Sequence, residues 1–153
     1  MYMQYNIVNF ESREDAQYFE NLLCESGENL SKYESLFDFR TPSVKRREFG
    51  RERVRLLKAL LRQYGKVCQL RYSDKCNIAS GIVLDHLIPL SSNKLNKELR
   101  HVSAFPGRKV ASQSFSSNHA NNLILACCNC NNHKKHRLLP REQLKPLLRL
   151  KGL

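Results

Sequence analysis

The sequence predicts an α+β fold in which two short strands and a helix form the centre and further helices flank them. Two short apolar runs, residues 82–84 and 123–126, each lead directly into polar residues that suit a functional site. A Cys-x-x-Cys pair follows the second run, and a long amphipathic pattern with basic residues precedes the first. Short buried-strand signals and a helical period in one chain favour a mixed fold.

Size and charge limit the possible functions. The 153 residues suit one compact domain, and a hydrophobic content of 41% is enough for a modest core. The net charge of +12 is uneven: residues 1–40 have three basic and eight acidic side chains, whereas residues 41–153 have 23 basic and six acidic. The basic segment favours the phosphodiester backbone of nucleic acid as partner, with a solvated surface as the alternative.

The sequence predicts a cytoplasmic protein with no membrane partner. No stretch has the roughly 18 apolar residues that a membrane span needs, and the first residues show no secretory pattern. Six cysteines in a reducing compartment favour metal binding over disulfides.

Residues 1–40 are predicted to form an acidic helical segment. Ser12, followed three residues later by Asp15, indicates a capped helix that Gly27 ends. Its apolar face comprises Ala16, Phe19, Leu22 and Leu23. Phe19, Leu22 and Leu23 of this face form a candidate homodimer interface, with packing inside the chain as the alternative. Residues 28–40 form either a further short helix or an ordered arm.

Residues 41–65 are predicted to form a basic amphipathic helix, because Thr41 can cap it and Pro42 fits the first helical position. The apolar residues that repeat with an approximate helical period are Val44, Phe49, Val54, Leu57, Leu60, Leu61 and Tyr64. The other face is expected to present Lys45, Arg46, Arg47, Arg51, Arg53, Arg55, Lys58 and Arg62. That face either lies along the DNA backbone or is the solvated side of a core helix.

Residues 66–139 contain both strand signals. The first runs into Asp85 and His86, and the second runs into Cys127. The residues between the strands, 91–119, have little periodicity and are interpreted as a long basic loop or insertion.

Two helices are expected after the second strand. One follows Cys127 and stops before Pro140. The other is a short helix within residues 140–153 that is interrupted or kinked at Pro146.

Four cysteines are candidate ligands of a structural zinc ion: Cys68, Cys76, Cys127 and Cys130. The x-x spacing of the last two, at a strand-to-helix corner, lets both thiolates face one tetrahedral metal. Cys128 could replace Cys127, although the spacing favours Cys127. The alternative is that Cys68 and Cys76 are buried small hydrophobic residues. Cys24 has no evident partner and is predicted to be buried in the N-terminal helix.

Asp85 and His86 place a carboxylate and an imidazole at the end of one strand, on opposite sides of the backbone. Carboxylate and carboxamide oxygens suit Mg²⁺ or Mn²⁺, and an imidazole suits a general base. Taken alone, an Asp-His pair is a weak signal.

Two segments together, DHLIPL at 85–90 and NLILACCNCNNHK at 122–134, resemble the HNH endonuclease family, whose core is the ββα-metal fold. The matching elements occur in the family's order: Asp85-His86, Pro89, Asn122-Leu123, Cys127-x-x-Cys130, Asn131 and Lys134. Cys68 and Cys76 stand where the family often has its first cysteine pair. The resemblance covers roughly residues 64–137.

The resemblance implies a metal-dependent DNA endonuclease that leaves 5′-phosphate and 3′-hydroxyl ends. His86 would deprotonate the attacking water. Asp85 and Asn131 would hold one Mg²⁺ or Mn²⁺ against the scissile phosphate. Asn122 would orient the loop that bears His86 through hydrogen bonds.

Two features depart from the family pattern. Asn131 stands where histidine is common, which keeps an oxygen ligand. His133 and His136 follow closely enough to contact metal or DNA, with the helix surface as the alternative. The catalytic segments are also further apart than in compact members. The insertion between them contains His101 and His119, which are expected to pack in the loop or contact phosphate.

The implied partner is double-stranded DNA. The candidate contact residues are Arg46, Arg47, Arg51, Lys94, Lys97, Arg108, Lys109 and Lys134. The leading function is a site-specific restriction endonuclease that acts as a homodimer, because one active site cuts one strand. The alternatives are a homing or nicking endonuclease and a zinc-stabilised DNA-binding module with an inert hairpin. An RNA-directed protein is less favoured, because no aromatic stacking platform is evident.

Overall fold

A computed structural model describes residues 10–90, 113–135 and 137–153. In chain order the helices and strands are α1 Arg13–Leu23, α2 Pro42–Tyr64, β1 Ile82–His86, β2 Leu123–Cys127, α3 Cys128–Lys134 and α4 Arg141–Leu150. Short 3₁₀ helices are Leu30–Leu36, Ile78–Ser80 and Ala120–Asn122. The fold is therefore α+β, as the sequence predicts. Six of the candidate residues lie outside the described ones: Lys94, Lys97, His101, Arg108, Lys109 and His136.

The two strands form an antiparallel hairpin in which Ile82 pairs with Cys127 and His86 with Leu123. Both faces of β2 are covered. Leu123 and Leu125 pack with Leu60 of α2, while the alternate residues of the strand face the main core. Burial on both faces explains why the second strand is a continuous apolar run with no polar alternation. The predicted strand, strand and helix are confirmed.

Helix α3 ends earlier than the sequence predicts. It stops at Lys134, because Lys135 adopts a left-handed conformation with φ of 55°. The Arg137 guanidinium donates to the carbonyl oxygens of His133 and Lys134, which closes the end of the helix. The later helix α4 is confirmed, but it runs through Pro146 without the interruption that the sequence suggested.

Helix α2 begins at Pro42 as predicted, but its two faces differ from the expected ones. Val44 and Val54, two members of the apolar periodic set, are 40% and 59% exposed. Lys45, expected on the solvated face, is fully buried. Its ammonium donates to the carbonyl oxygens of Asp38 (2.6 Å) and Ser116 (2.7 Å), because this half of the helix packs on polar loops.

The N-terminal segment belongs to the main core. Ser12 caps α1 by accepting from the backbone N–H of Asp15, as predicted, but the helix ends at Leu23, ahead of Gly27. Phe19 and Leu23 are completely buried inside the chain, so the homodimer interface proposed for this face is wrong. Five phenylalanine rings form a cluster in which the centroids of neighbouring rings are 4.9 to 6.5 Å apart: Phe10, Phe19, Phe37, Phe39 and Phe115.

Among the described residues, no helix is both long enough and apolar enough to cross a membrane.

Candidate functional site

The hairpin and α3 bring three of the predicted site residues to one cleft. Asp85 and His86 come from the end of β1, and Asn131 comes from α3. All three line a cleft of about 520 Å³, together with Phe49 of α2. Residues that are distant in the sequence thus share one wall because the hairpin folds α3 back against β1.

Asn122 holds the backbone that follows His86. Its side-chain oxygen accepts from the N–H of Ile88 at 2.9 Å, and its carbonyl accepts from the N–H of Leu87 at 2.8 Å. Its amide nitrogen donates to the carbonyl oxygens of Ile88 (3.2 Å) and Ser117 (2.8 Å). Asn122 is fully buried, so these bonds are shielded from water. This is the geometry expected of a residue that orients the loop bearing His86.

His86 is a buried imidazole that contacts the side chains of Asn118 and Phe49. Its Nε2 lies 2.9 Å from the Oδ1 of Asn118, and its ring packs edge-on against Phe49 with centroids 4.6 Å apart. Burial lowers the pKa of His86 to about 4, although the hydrogen bond with Asn118 acts in the opposite direction. The ring is therefore neutral at neutral pH and has a lone pair that can accept a proton.

Asn118 is the site residue that sequence reasoning missed. It precedes Asn122 by four residues, within a polar stretch that lies outside both family-like segments. The polar run Ser116-Ser117-Asn118-His119 just before the second strand was the only signal, and many ordinary loops have such a run.

Asp85 is paired with a buried lysine. The ammonium of Lys134 lies 3.0 Å from Asp85 Oδ2 and donates to the backbone carbonyl of His86 at 3.1 Å. Lys134 is completely buried, so the expectation that it contacts DNA is wrong. Its position on α3 directs the side chain inward to the end of β1. There it joins the helix to the strand at the candidate site.

The donor set of the cleft fits a hard divalent cation. A carboxylate from Asp85 and a carboxamide oxygen from Asn131 are ligands that Mg²⁺ and Mn²⁺ prefer. Two protein ligands leave most coordination positions to water and to phosphate oxygens, as is common for magnesium at phosphoryl sites.

Replacing Lys134 with methionine is expected to lower the free energy of unfolding by about 3–5 kcal/mol, because it leaves a buried carboxylate without its cation. The matched control is Lys135→Met, since Lys135 is the exposed neighbour. Urea unfolding of both variants measures the difference. Equal stability of Lys134→Met and the wild type would show that the ion pair does not stabilise the fold.

Four cysteines converge at the base of the hairpin. The sulfur atoms of Cys68, Cys76, Cys127 and Cys130 all lie within 4.8 Å of one another. The structure thus brings together the four predicted ligands. Cys127 and not Cys128 belongs to the cluster, which confirms the choice made from the spacing. Cys24 lies at the end of α1, where it is only partly buried.

Backbone amides surround these sulfurs. The N–H of Arg71 donates to Cys68 Sγ at 3.4 Å, and the N–H groups of Tyr72 and Ser73 donate to Cys130 Sγ at 3.3 and 3.4 Å. Arg71 turns the chain with a φ of 45°, which directs these amides inward. Such bonds stabilise thiolate sulfur, the form that binds metal.

Neighbouring groups also favour ionisation of Cys127. Burial acts to raise the pKa of Cys127, but the backbone N–H groups of Cys130 and Asn77, together with the side chains of Cys130 and Cys68, lower it to about 6. Four sulfurs at this separation, with amides directed at them, could hold a metal ion such as zinc.

A basic groove adjoins the cleft. It has a volume of about 390 Å³ and shares Asn132 and Lys135 with the cleft that His86 lines. Its lining residues are Ser73, Lys75, Asn129, Asn132, His133, Lys135 and Arg137. Three of these residues are cationic and none is acidic. His133 therefore lines this groove and is not one of the residues that line the cleft with His86.

The remaining predicted contact residues lie on α2. Arg46, Arg47 and Arg51 are all exposed. Arg51 also borders the larger cavity of about 1100 Å³, which mixes arginines with four carboxylates: Glu34, Asp38, Glu48 and Glu52. His119 caps the 3₁₀ helix before β2 by accepting from the N–H of Asn121 at 3.0 Å.

No family model, curated protein or solved structure matches this chain. The likeness to HNH endonucleases remains an interpretation of the motif residues.

Proposed function

We propose that the chain is a metal-dependent DNA endonuclease of the HNH type, which hydrolyses phosphodiester bonds to 5′-phosphate and 3′-hydroxyl ends. One observation carries the proposal: Asp85, His86 and Asn131 line a single cleft on a strand, strand and helix unit. A base, a carboxylate and an amide oxygen in one cleft can support metal-assisted hydrolysis of a phosphodiester.

Each residue has a distinct role in this proposal. His86 accepts the proton of the attacking water, since its neutral ring has a lone pair. Asp85 and Asn131 are the ligands of Mg²⁺ or Mn²⁺, which when bound supplies positive charge to the scissile phosphate and the leaving oxygen. Lys134 fixes the Asp85 carboxylate and the His86 backbone. Asn122 fixes the loop after His86.

In the same proposal, the cysteine cluster binds zinc as a structural ion. Four thiolates complete a tetrahedral shell and leave no position for water or substrate. Cys127 and Cys130 lie at the junction of β2 and α3, and Asn131 directly follows Cys130. A metal at this junction would therefore fix the position of Asn131 relative to Asp85.

The DNA backbone would run along the basic groove next to the cleft. Lys75, Lys135 and Arg137 give that groove a charge complementary to phosphate, and it opens beside the candidate active site. This placement replaces the expected contact from Lys134, which is buried. Arg46, Arg47 and Arg51 of α2 stay candidate contacts.

Replacing both Lys75 and Lys135 with glutamine is expected to weaken DNA binding and to reduce the slope of log affinity against log salt by about 2. Each lysine–phosphate contact contributes roughly 1 to that slope, because the contact releases a counterion from the DNA. The matched control is Lys32→Gln, which removes a lysine of the acidic N-terminal segment. Fluorescence anisotropy at several salt concentrations measures the slope. If the double variant keeps the wild-type slope, DNA does not follow this groove.

The biological setting that we propose is restriction of foreign DNA. Incubation of the purified protein with plasmid and phage DNA in Mg²⁺ or Mn²⁺, followed by sequencing of the ends, tests it. Fragments with a common end sequence support a restriction enzyme. Nicks or very rare cuts support the nicking or homing alternative. Binding without cleavage would replace the nuclease with the inert DNA-binding module.

A further inference from the structure

We propose that Asn118 is a positioning residue that fixes the tautomer of His86, so that Nε2 bears the proton and Nδ1 is the atom that accepts one from water. The catalytic part of this inference rests on the proposed nuclease function, whereas the tautomer itself does not. Three sets of contacts lead to it.

The orientation of the Asn118 amide follows from its two other partners. Its nitrogen lies 2.8 Å from the carbonyl oxygen of Lys45 and 3.2 Å from Oε1 of Glu48. Both partners are acceptors, so only the NH₂ end of the amide can face them. The oxygen of Asn118 must then face the histidine.

The orientation of Asn118 determines which ring nitrogen of His86 is protonated. The Asn118 Oδ1 lies 2.9 Å from His86 Nε2, and an amide oxygen can only accept. Nε2 must therefore donate. In a neutral imidazole one nitrogen bears the proton and the other has the lone pair, so Nδ1 is left as the acceptor.

Helix α2 supplies the support for this arrangement. Lys45, Glu48 and Phe49 are spaced i, i+3 and i+4, so they share one face of the helix. Lys45 and Glu48 bind the Asn118 amide, and the Phe49 ring packs edge-on against His86. The buried ammonium of Lys45 also donates to the carbonyl of Ser116 at 2.7 Å, which fixes the segment that bears Asn118.

The Glu48 carboxylate is held in turn by Arg40. The guanidinium NH₂ of Arg40 lies 3.0 and 2.9 Å from the two oxygens of Glu48. The carboxylate therefore stays charged and accepting, which keeps the Asn118 amide in one orientation. The basic helix thus orients the general base, in addition to any contact it makes with DNA.

The test is ¹⁵N NMR of the histidine rings in the full chain without DNA, together with steady-state cleavage kinetics. The wild type is expected to show His86 protonated at Nε2 and unprotonated at Nδ1. Asn118→Leu keeps the side-chain size but removes the acceptor. We expect a mixture of tautomers in it and a fall in kcat of about 10- to 100-fold, with little change in KM.

Two further variants separate positioning from general stability. Asn121→Leu is the matched control, because the Asn121 side chain bonds elsewhere and donates to Ser35 Oγ at 3.0 Å. In this variant the tautomer of His86 and the kcat should stay those of the wild type. The conservative variant Asn118→Gln keeps an amide oxygen for His86 and an NH₂ group for the Lys45 carbonyl and Glu48. It should show the Nε2-protonated ring and retain most of the kcat that Asn118→Leu loses.

The outcomes distinguish the positioning role from the nuclease function. A wild-type His86 protonated at Nδ1, or an Asn118→Leu protein with unchanged tautomer and kcat, would overturn the positioning role while leaving cleavage intact. An Nε2-protonated ring in a folded protein that cuts no nucleic acid would overturn the nuclease function, and the catalytic part of the positioning role with it.

Discussion

Replacing His86 with alanine is expected to slow DNA cleavage by roughly 10²–10⁴-fold, the usual contribution of a general base. The imidazole lies in the cleft with Asp85 and Asn131, and it is neutral because burial lowers the pKa of His86 to about 4. Without it, no group in this position takes the proton of the attacking water. Single-turnover cleavage of a DNA substrate measures the effect.

DNA affinity and metal content should be unchanged in His86→Ala, since His86 neither lines the basic groove nor belongs to the cysteine cluster. His119→Ala is the matched control, because His119 is exposed and caps a 3₁₀ helix. It should cleave at nearly the wild-type rate. A His86→Ala protein that cuts as fast as the wild type would show that another group is the base.

Replacing Cys130 with serine is expected to remove the bound metal and to destabilise the hairpin strongly. Structural zinc binding is worth about 10–16 kcal/mol in small zinc peptides, which is comparable to the whole stability of a small domain. Cys130 is fully buried and accepts from the N–H groups of Tyr72 and Ser73. Its replacement would affect both the ion and the loop around it.

Metal analysis and thermal melting of Cys130→Ser and Cys128→Ser test the assignment side by side. Cys128 is the adjacent cysteine outside the cluster, so its variant should retain the metal and melt close to the wild-type temperature. We expect Cys130→Ser to have less than one equivalent of metal and to melt far lower. Equal metal content and melting temperature in the two variants would contradict a four-cysteine site.

The sequence predicts the centre of the fold because local signals and tertiary structure agree there. The apolar runs that end in His86 and Cys127 are the paired strands, and the Cys-x-x-Cys spacing identifies Cys127 and Cys130. Pro42 likewise places the start of α2 correctly, although the side chain of Thr41 makes no capping hydrogen bond. At these positions the covalent spacing alone limits the possible geometry.

The sequence does not predict which lysines are buried. Lys45 and Lys134 look like exposed cations in basic stretches, yet both are fully buried and bind backbone carbonyls. Their partners come from loops and strands that are distant in the chain, so no local pattern encodes them. The same holds for Asn118, whose role depends on a helix about 70 residues earlier.

Apolar periodicity also does not show whether a helix face is covered by the chain itself or by a partner. Phe19 and Leu23 form a helix face that a partner copy or the chain's own core could cover equally well. The structure shows that Phe37 and Phe115 cover Phe19, which joins the acidic segment to the rest of the domain. A helix face has the same pattern in both cases.

The measurement that tests the central claim most directly is a time course of supercoiled plasmid with the purified wild-type protein and Mg²⁺ or Mn²⁺, with and without EDTA. We predict that the metal-supplemented protein converts the plasmid to nicked or linear DNA, that the products have 5′-phosphate and 3′-hydroxyl ends, and that EDTA stops the reaction. A folded, DNA-bound protein that leaves the plasmid supercoiled in both metals would contradict the assignment of Asp85, His86 and Asn131 as a nuclease site.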